Sequence, residues 1–211
     1  MLKLEKTKIV ELLKQLKLPL NPNSSLEQYF TPPKIAMDFL SFFNFDKQVV
    51  MDLATGPGVL GLYSLLKGAK KVYFVDIDTT AIKLAKENYA FLKKKISNIG
   101  TAEFYSRDIA IIKKSVFSDI DIIVMNPPFG TTDKNKKIDS IFLKKAMKLS
   151  DKIITMHKTA SKQFLHELIR EKGFNILEEK DFLFPIYKMY SHHSTDKVNI
   201  EVTSFVLEKD I

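Results

Sequence analysis

The sequence has no cysteine and no tryptophan among its 211 residues. Without cysteine, the chain has no means to build a disulfide scaffold, a thiol nucleophile, a cysteine-ligated zinc site or an iron–sulfur cluster. No apolar run reaches the ~18 residues that a membrane-spanning helix needs, and the first residues lack the apolar segment of a signal peptide. The 7 glycines and 8 prolines are too few for a fibrous or low-complexity chain. We therefore expect an intracellular, cytoplasmic protein without a membrane partner.

What the chain does have is aromatic residues and positive charge. The 16 Phe and 7 Tyr supply ample apolar surface for the core of one domain. Lys and Arg number 33 against 25 Asp and Glu, which gives a net charge of +8. A basic surface attracts phosphate backbones, so nucleic acid is the first partner to consider. A Lys- and Glu-rich composition also arises from growth at high temperature, so the charge alone leaves both interpretations open.

Periodicity predicts a helical extension (residues 1–46) ahead of an α/β core (residues 47–211) within one domain. Apolar residues at helical spacing predict a helix over 3–17, and a second helix is expected to begin near Thr31 as its cap. From residue 48, strands alternate with helices, which predicts a doubly wound, mostly parallel, seven-stranded Rossmann-like sheet. Strands are expected at 48–53, 71–75, 102–106, 121–125, 152–156, 176–184 and 198–203, with helices ending at 66 and spanning 79–93, 139–149 and 161–171. The last two strands have no helix between them, so we expect an antiparallel pair that closes the sheet, with an antiparallel C-terminal edge strand.

A glycine turn and an acid define a candidate cofactor site. Gly56, Gly58 and Gly61 form a G-x-G-x-x-G pattern where the first strand meets its helix, and Asp76 ends the next strand. Glycine permits a sharp turn and close approach of a ligand, and an acid at the second strand end accepts hydrogen bonds from ribose hydroxyls. The pattern therefore indicates an adenosine-type cofactor. NAD fits the glycine spacing, but Asp52 would repel its pyrophosphate and suits the sulfonium and ammonium groups of S-adenosylmethionine better.

A proline-stiffened corner follows the strand at 121–125. Asn126, Pro127, Pro128 and Phe129 form it, and the two prolines fix the local backbone. The Asn126 side-chain oxygen and the carbonyl near Pro127 then form a fixed pair of acceptors, which suits both hydrogens of a flat –NH2 group. Phe129 is expected to stack on the ring that carries this amine. The corner therefore predicts methyl transfer to an exocyclic amine, driven by positioning and electrostatics.

These motifs resemble the methyltransferase-like-five family over nearly the whole chain. The resemblance rests on the run from Leu26 to Thr31, the Asp52 to Gly58 turn, Asp76-Ile77-Asp78, and the Asn126 corner followed by Asp139 and Phe142. His157-Lys158 also fits. The resemblance implies a class I methyltransferase that uses S-adenosylmethionine to modify an adenine of small-subunit ribosomal RNA at N6. It also implies, as a partner beside the RNA, a small zinc-binding activator protein that covers apolar surface.

The resemblance assigns roles residue by residue. Asn126, Pro127, Pro128 and Phe129 would be catalytic. The cofactor would contact Gln28, Thr31, Asp52, Ala54, Gly56, Pro57, Gly58, Asp76, Asp108 and Ile109. Basic residues near the corner are candidates for RNA contacts: Lys134, Lys136, Lys137, His157, Lys158 and Lys188. No metal site is expected, since the histidines lack cysteine or carboxylate partners at ligand spacing.

Two residues of the glycine turn depart from the family pattern. Ala54 stands where the family usually has Gly, and Pro57 where Cys is common. Ala54 is compatible with the turn if its φ is not positive, and Pro57 should bias Gly56 toward extended backbone. These departures leave open a catalytically silent binding protein of the same fold. Two other functions also stay open: an amino-methyltransferase acting on protein glutamine or DNA, which has the same chemistry, and an NAD-dependent oxidoreductase, which the glycine pattern would fit.

Overall fold

The computed structural model describes residues 4–20, 23, 26–117, 119–130, 138–187 and 197–210. The N-terminal part contains two helices, α1 (Lys6–Lys14) and α2 (Pro33–Leu40). Helix α1 buries Ile9, Leu12 and Leu13, as its spacing predicts, but it ends three residues earlier than expected. Helix α2 takes Pro32 rather than Thr31 as its N-cap, because the Thr31 hydroxyl bonds to Asn126 instead. The predicted capping role of Thr31 is therefore wrong.

Seven strands form one sheet in the order β3-β2-β1-β4-β5-β7-β6. Their bounds are β1 Val49–Leu53, β2 Lys71–Asp76, β3 Thr101–Ser106, β4 Ile122–Met125, β5 Lys152–Lys158, β6 Phe174–Tyr187 and β7 Lys197–Lys209. Strands β1 to β5 pair in parallel, whereas β7 runs antiparallel to both β5 and β6. The mostly parallel α/β fold with an antiparallel C-terminal strand is confirmed. The C-terminal strand β7 was expected at the edge of the sheet, but it lies between β5 and β6. Strand β6 pairs with β7 and is the edge strand.

Helices pack on both faces of the sheet, which gives the domain two cores. Residues alternate along each strand, so that Val50 and Val72 enter one core while Met51 and Tyr73 enter the other. The first core includes α1 and α2 with α3 (Val59–Leu66) and α4 (Thr79–Lys95), and the second includes α5 (Ile138–Leu149) and α6 (Lys162–Glu171). Strands covered on both sides read as continuous apolar runs, as β4 does and as β1 does except at the buried Asp52.

The strand order fixes where a ligand site can form. From β1 the chain moves outward through β2 and β3, then returns to place β4 on the other side of β1. A crevice opens at such a reversal, outside the carboxyl ends of the strands. The glycine turn follows β1, Asp76 ends β2 and Asn126 follows β4, so all three motifs reach this crevice. Within the described ranges, we find no helix whose length and apolar character would let it cross a membrane.

Candidate active site

A cavity of about 490 Å³ opens at the carboxyl ends of β1, β2 and β4. Residues of the N-terminal segment from Pro19 to Phe30 form one wall, and α5 contributes Ile138 and Phe142. Nine residues predicted from the sequence line the cavity: Gln28, Ala54, Gly56, Pro57, Asp76, Asp108, Ile109, Asn126 and Pro128. Five others are buried next to it without lining it: Thr31, Asp52, Gly58, Pro127 and Phe129. The structure therefore brings the cofactor motif and the proline corner to one cavity.

The turn after β1 has positive φ at every second residue, at Ala54, Gly56 and Gly58. Gly56 has φ +53° and Gly58 has φ +91°, values that glycine adopts without steric cost. The expectation that Pro57 biases Gly56 toward extended backbone is therefore wrong. Ala54 also has a positive φ, of 55°, which an L-residue with a Cβ adopts at a cost. Ala54 was expected to be compatible with the turn only if its φ is not positive, and its φ is positive.

Asp52, in strand β1, holds this turn through hydrogen bonds. Its carboxylate is buried at 1% exposure and accepts hydrogen bonds at Oδ2 from the Thr55 hydroxyl (2.5 Å) and the Gly61 amide (2.9 Å). Its Oδ1 has no hydrogen-bond partner among the described residues. Burial raises the pKa of Asp52 to about 7, against these two hydrogen bonds, which lower it. Asp52 therefore fixes the shape of the turn and carries a carboxyl that titrates near neutral pH.

Asp76 ties the glycine turn to the end of β2. It accepts hydrogen bonds from the backbone amides of Gly56 (2.9 Å) and Asp78 (3.0 Å), and it lines the cavity. Burial raises its pKa, more than these hydrogen bonds lower it. Asp78 caps α4 and also accepts from the side-chain amide of Gln28 at 2.7 Å. The contact between Gln28 and Asp78 fastens the N-terminal segment beside the cavity.

Two polar residues that the sequence interpretation missed hold neighbouring segments in place. Asn88 is buried on α4, where its amide bonds to the backbone of Lys17 and to the Pro57 carbonyl. Asn88 lies three residues from Ala85 and four from Leu92, so a polar residue on the apolar helix face was the available signal. Lys145 of α5 donates to the carbonyl oxygens of Ala110 and Ile112, both at 2.9 Å, and thereby holds the segment that carries Asp108 and Ile109. Nothing in the sequence distinguishes Lys145 from the other lysines of α5.

The proline corner presents one free acceptor near the cavity. The Asn126 amide nitrogen donates to the Thr31 hydroxyl at 3.0 Å, while its Oδ1 is buried and has no partner among the described residues. Phe129 is only 3% exposed: it stacks on Tyr29 with a centroid distance of 6.4 Å and packs edge-on against Phe184. The expectation that Phe129 itself faces a base is therefore wrong for this structure. Of the two stacked rings, that of Tyr29 lines the cavity, as the rings of Phe30 and Phe142 also do.

The structure places the candidate RNA-contacting residues in different environments. Lys134, Lys136, Lys137 and Lys188 lie outside the described residues. Lys158 is half-buried at the end of β5. His157 is fully buried, so the prediction that it contacts RNA is corrected. Its Nε2 bonds to the Thr155 hydroxyl at 2.8 Å, and its Nδ1 lies 3.7 Å from Asp139. Burial raises the pKa of Asp139, but the neighbouring imidazole, the Ser140 amide and Lys158 together lower it by more, so the net shift is downward.

Comparison with known proteins identifies relatives along the whole chain. Residues 37–174 match the family described as methyltransferase small domain. An uncharacterised protein of Methanocaldococcus jannaschii is 32% identical over 98% of this chain and 95% of its own length. The rRNA N(6)-adenosine-methyltransferase METTL5 of Danio rerio is 27% identical over 86% of this chain and 87% of its own. The crystal structure of a proposed RNA methyltransferase from Pyrococcus horikoshii superposes with a TM-score of 0.83, 29% identity and coverage of 99% and 100%.

Proposed function

This chain belongs to the methyltransferase small domain family, and we propose that it methylates the N6 amine of an adenine in RNA, with small-subunit ribosomal RNA as its substrate. Its fold is that of the S-adenosylmethionine-dependent methyltransferases, one of which is known with this cofactor bound. The observation that carries the proposal is the buried, unpaired Oδ1 of Asn126 beside the cofactor cavity.

The residues present fit S-adenosylmethionine, which supplies a methyl group on a positively charged sulfur. The turn from Ala54 to Pro57 would hold the methionine part, since open space surrounds the position where a Gly56 side chain would stand. Asp76 would accept hydrogen bonds from the ribose hydroxyls. Asp108 and Ile109 would line the adenine end, and a cationic ligand would favour the ionised form of the Asp52 carboxyl beneath the turn.

The corner at Asn126 would supply the hydrogen-bond acceptors for the target amine. Asn126 Oδ1 would accept one hydrogen of the target amine, and the Pro127 carbonyl the other. Holding both hydrogens directs the nitrogen lone pair out of the ring plane and toward the methyl group. Tyr29 would offer the aromatic face for the base, because it lines the cavity and stacks on Phe129 of the corner. Catalysis then consists of positioning and electrostatics.

The choice of RNA rests on the relatives and on charge. METTL5 of Danio rerio is named for activity on rRNA adenosine, and the matched Pyrococcus horikoshii protein for RNA. The net charge of +8 favours a phosphate backbone as ligand. An adenine reaches a recessed pocket only when unstacked, so looped or single-stranded RNA should be preferred over a perfect duplex.

An activator partner is also proposed, on the basis of the family resemblance. Strand β3 forms one edge of the sheet, and exposed apolar side chains occur in the segments that follow β2 and β3 in the chain: Ile77, Ile111 and Val116. A partner protein of the kind that the resemblance implies would cover such surface.

Methyl transfer from labelled S-adenosylmethionine to ribosomal RNA, followed by nucleoside analysis, tests the function. We expect N6-methyladenosine as the product. Asn126→Ala should lower turnover by about 10²–10³, the usual effect of losing one positioned polar contact, while cofactor affinity in calorimetry stays unchanged. Asn175→Ala is the matched control. Asn175 is exposed at the start of β6, and its side chain donates a hydrogen bond to Asp210.

Two results would refute the proposal. One is near-normal turnover by Asn126→Ala with a normal fold. The other is methylation of a glutamine-bearing protein or of DNA, but not of RNA, in parallel reactions. The first result would remove Asn126 from the proposed mechanism, and the second would assign the chain to one of the alternative amino-methyltransferase activities.

A further inference from the structure

The Asn126 amide is held from one side only. Its Nδ2 donates to Oγ1 of Thr31 at 3.0 Å, and its Oδ1 remains buried without a partner among the described residues. Thr31 is 6% exposed and does not line the cavity. The sequence resemblance places Thr31 at the cofactor, whereas its observed contact is to the acceptor side of the site. An unsatisfied buried amide oxygen is rare in proteins and calls for a functional explanation.

Thr31 belongs to a short segment that touches both halves of the site. Gln28 bonds to Asp78 beside the cofactor motif, and Tyr29 stacks on Phe129 of the corner. Three residues after Gln28, Thr31 reaches Asn126. The two ends of this segment therefore contact different parts of the site: Gln28 bonds to Asp78 next to the cofactor motif, and Thr31 bonds to the side-chain amide of Asn126.

The two orientations of the Asn126 amide differ in which atom, Nδ2 or Oδ1, bonds to Thr31 and which is left for the target. A target –NH2 group has hydrogens to donate, so only the orientation with Oδ1 toward the cavity accepts it. In that orientation Nδ2 points away from the target and needs an acceptor of its own. The Thr31 hydroxyl oxygen is that acceptor. Without it, the productive orientation would leave a buried N–H unpaired. A hydroxyl can also donate to Oδ1 of the rotated amide, but Nδ2 would then face the target –NH2 group, donor against donor, so the bond from Nδ2 to Oγ1 is the one that leaves Oδ1 for the target.

We propose that Thr31 is a positioning residue for methyl transfer, whose hydroxyl holds the Asn126 amide with Oδ1 toward the target amine. The inference rests on the proposed role of Asn126. It predicts that the hydroxyl of Thr31, rather than its methyl group or its volume, determines turnover.

Thr31→Val and Thr31→Ser test the proposal, because valine keeps the shape and serine keeps the hydroxyl. Thr31→Val should lower kcat on ribosomal RNA by about 5- to 150-fold, which corresponds to about 1–3 kcal/mol at 1.36 kcal/mol per factor of ten. The dissociation constant for S-adenosylmethionine should change by less than about twofold, since Thr31 does not line the cavity. Thr31→Ser should restore most of the turnover. Thr101→Val, at an exposed threonine of β3, is the control.

A second measurement does not depend on the substrate. The side-chain NH2 signals of Asn126 in ¹⁵N-edited NMR spectra are assigned by their loss in Asn126→Ala. They should shift in Thr31→Val and stay in place in Thr31→Ser. If the wild-type protein leaves RNA unmethylated, the proposed function fails, and the NMR signals alone decide the contact. Unmoved signals in Thr31→Val, or wild-type turnover despite shifted signals, would overturn the positioning role.

Discussion

Replacing Ala54 with glycine should stabilise the protein, although glycine substitutions usually destabilise. Ala54 has φ 55° in the turn after β1, a left-handed conformation in which Cβ crowds the backbone. Glycine has no Cβ and occupies this region without that cost. The sign of the effect therefore reports directly on the conformation of the turn.

The magnitude follows from three contributions. Relief of the left-handed strain is worth about 1–2 kcal/mol. Glycine costs about 0.5–1 kcal/mol, because the unfolded chain gains freedom. Loss of a half-buried methyl group costs about 0.4 kcal/mol, half of the transfer value for a methylene. The balance is a stabilisation of roughly 0.5 kcal/mol, or about 1–2 °C in the melting temperature for a chain of this length.

The matched control is Ala90→Gly, at an exposed position of helix α4. There the helix interior makes glycine about 1 kcal/mol worse than alanine. Urea unfolding of both variants should therefore separate them by about 1.5 kcal/mol, with Ala54→Gly the more stable. If Ala54→Gly loses as much stability as Ala90→Gly, Ala54 is not in the left-handed region and the reasoning fails.

Two further predictions concern cofactor affinity and pH. Lys145→Met should weaken S-adenosylmethionine binding about tenfold in calorimetry, because the carbonyl oxygens of Ala110 and Ile112 lose their charged donor. The control is Lys148→Met, at an exposed position of the same helix, which should bind the cofactor normally. Equal affinities in the two variants would contradict this role of Lys145. Since burial raises the pKa of Asp52 to about 7, the folded state holds this proton more tightly than the unfolded chain, so stability should fall as pH rises from about 4 to about 7. Asp52→Asn should flatten that slope in unfolding curves, and an unchanged slope would show that Asp52 does not titrate there.

Local signals were enough to predict the sheet and the position of the cofactor motif. Strands β1 to β5 begin and end within two residues of the predicted bounds. Mostly apolar, buried runs bounded by turn residues mark all of them except β3, which is a half-buried strand at the sheet edge. Asp76 lies where the sequence predicts, since the end of a parallel strand fixes the edge of the sheet that its acid occupies. Gly61 has a packing reason as well, because a side chain there would collide with the ring of Phe74.

The rest of the site depends on residues far apart in the chain. Phe129 is covered by Tyr29 and Phe184, one from the N-terminal segment and one from β6, so its burial has no local signature. The role of Thr31 changes from helix cap to partner of Asn126, which is 95 residues away. The positive φ of Ala54 is imposed by the turn rather than by the preference of alanine. Such tertiary effects override local propensity.

The position of β7 between β5 and β6 has a consequence for synthesis on the ribosome. The chain emerges from its N-terminus, so β6 is complete before the only strand that joins it to the sheet exists. Until Lys197–Lys209 has emerged, β5 has an open edge and β6 has no neighbour. Open strand edges template pairing with other chains. A ribosome that stalls before residue 197 would therefore carry a nascent chain prone to aggregation, even though every motif of the active site had already been translated.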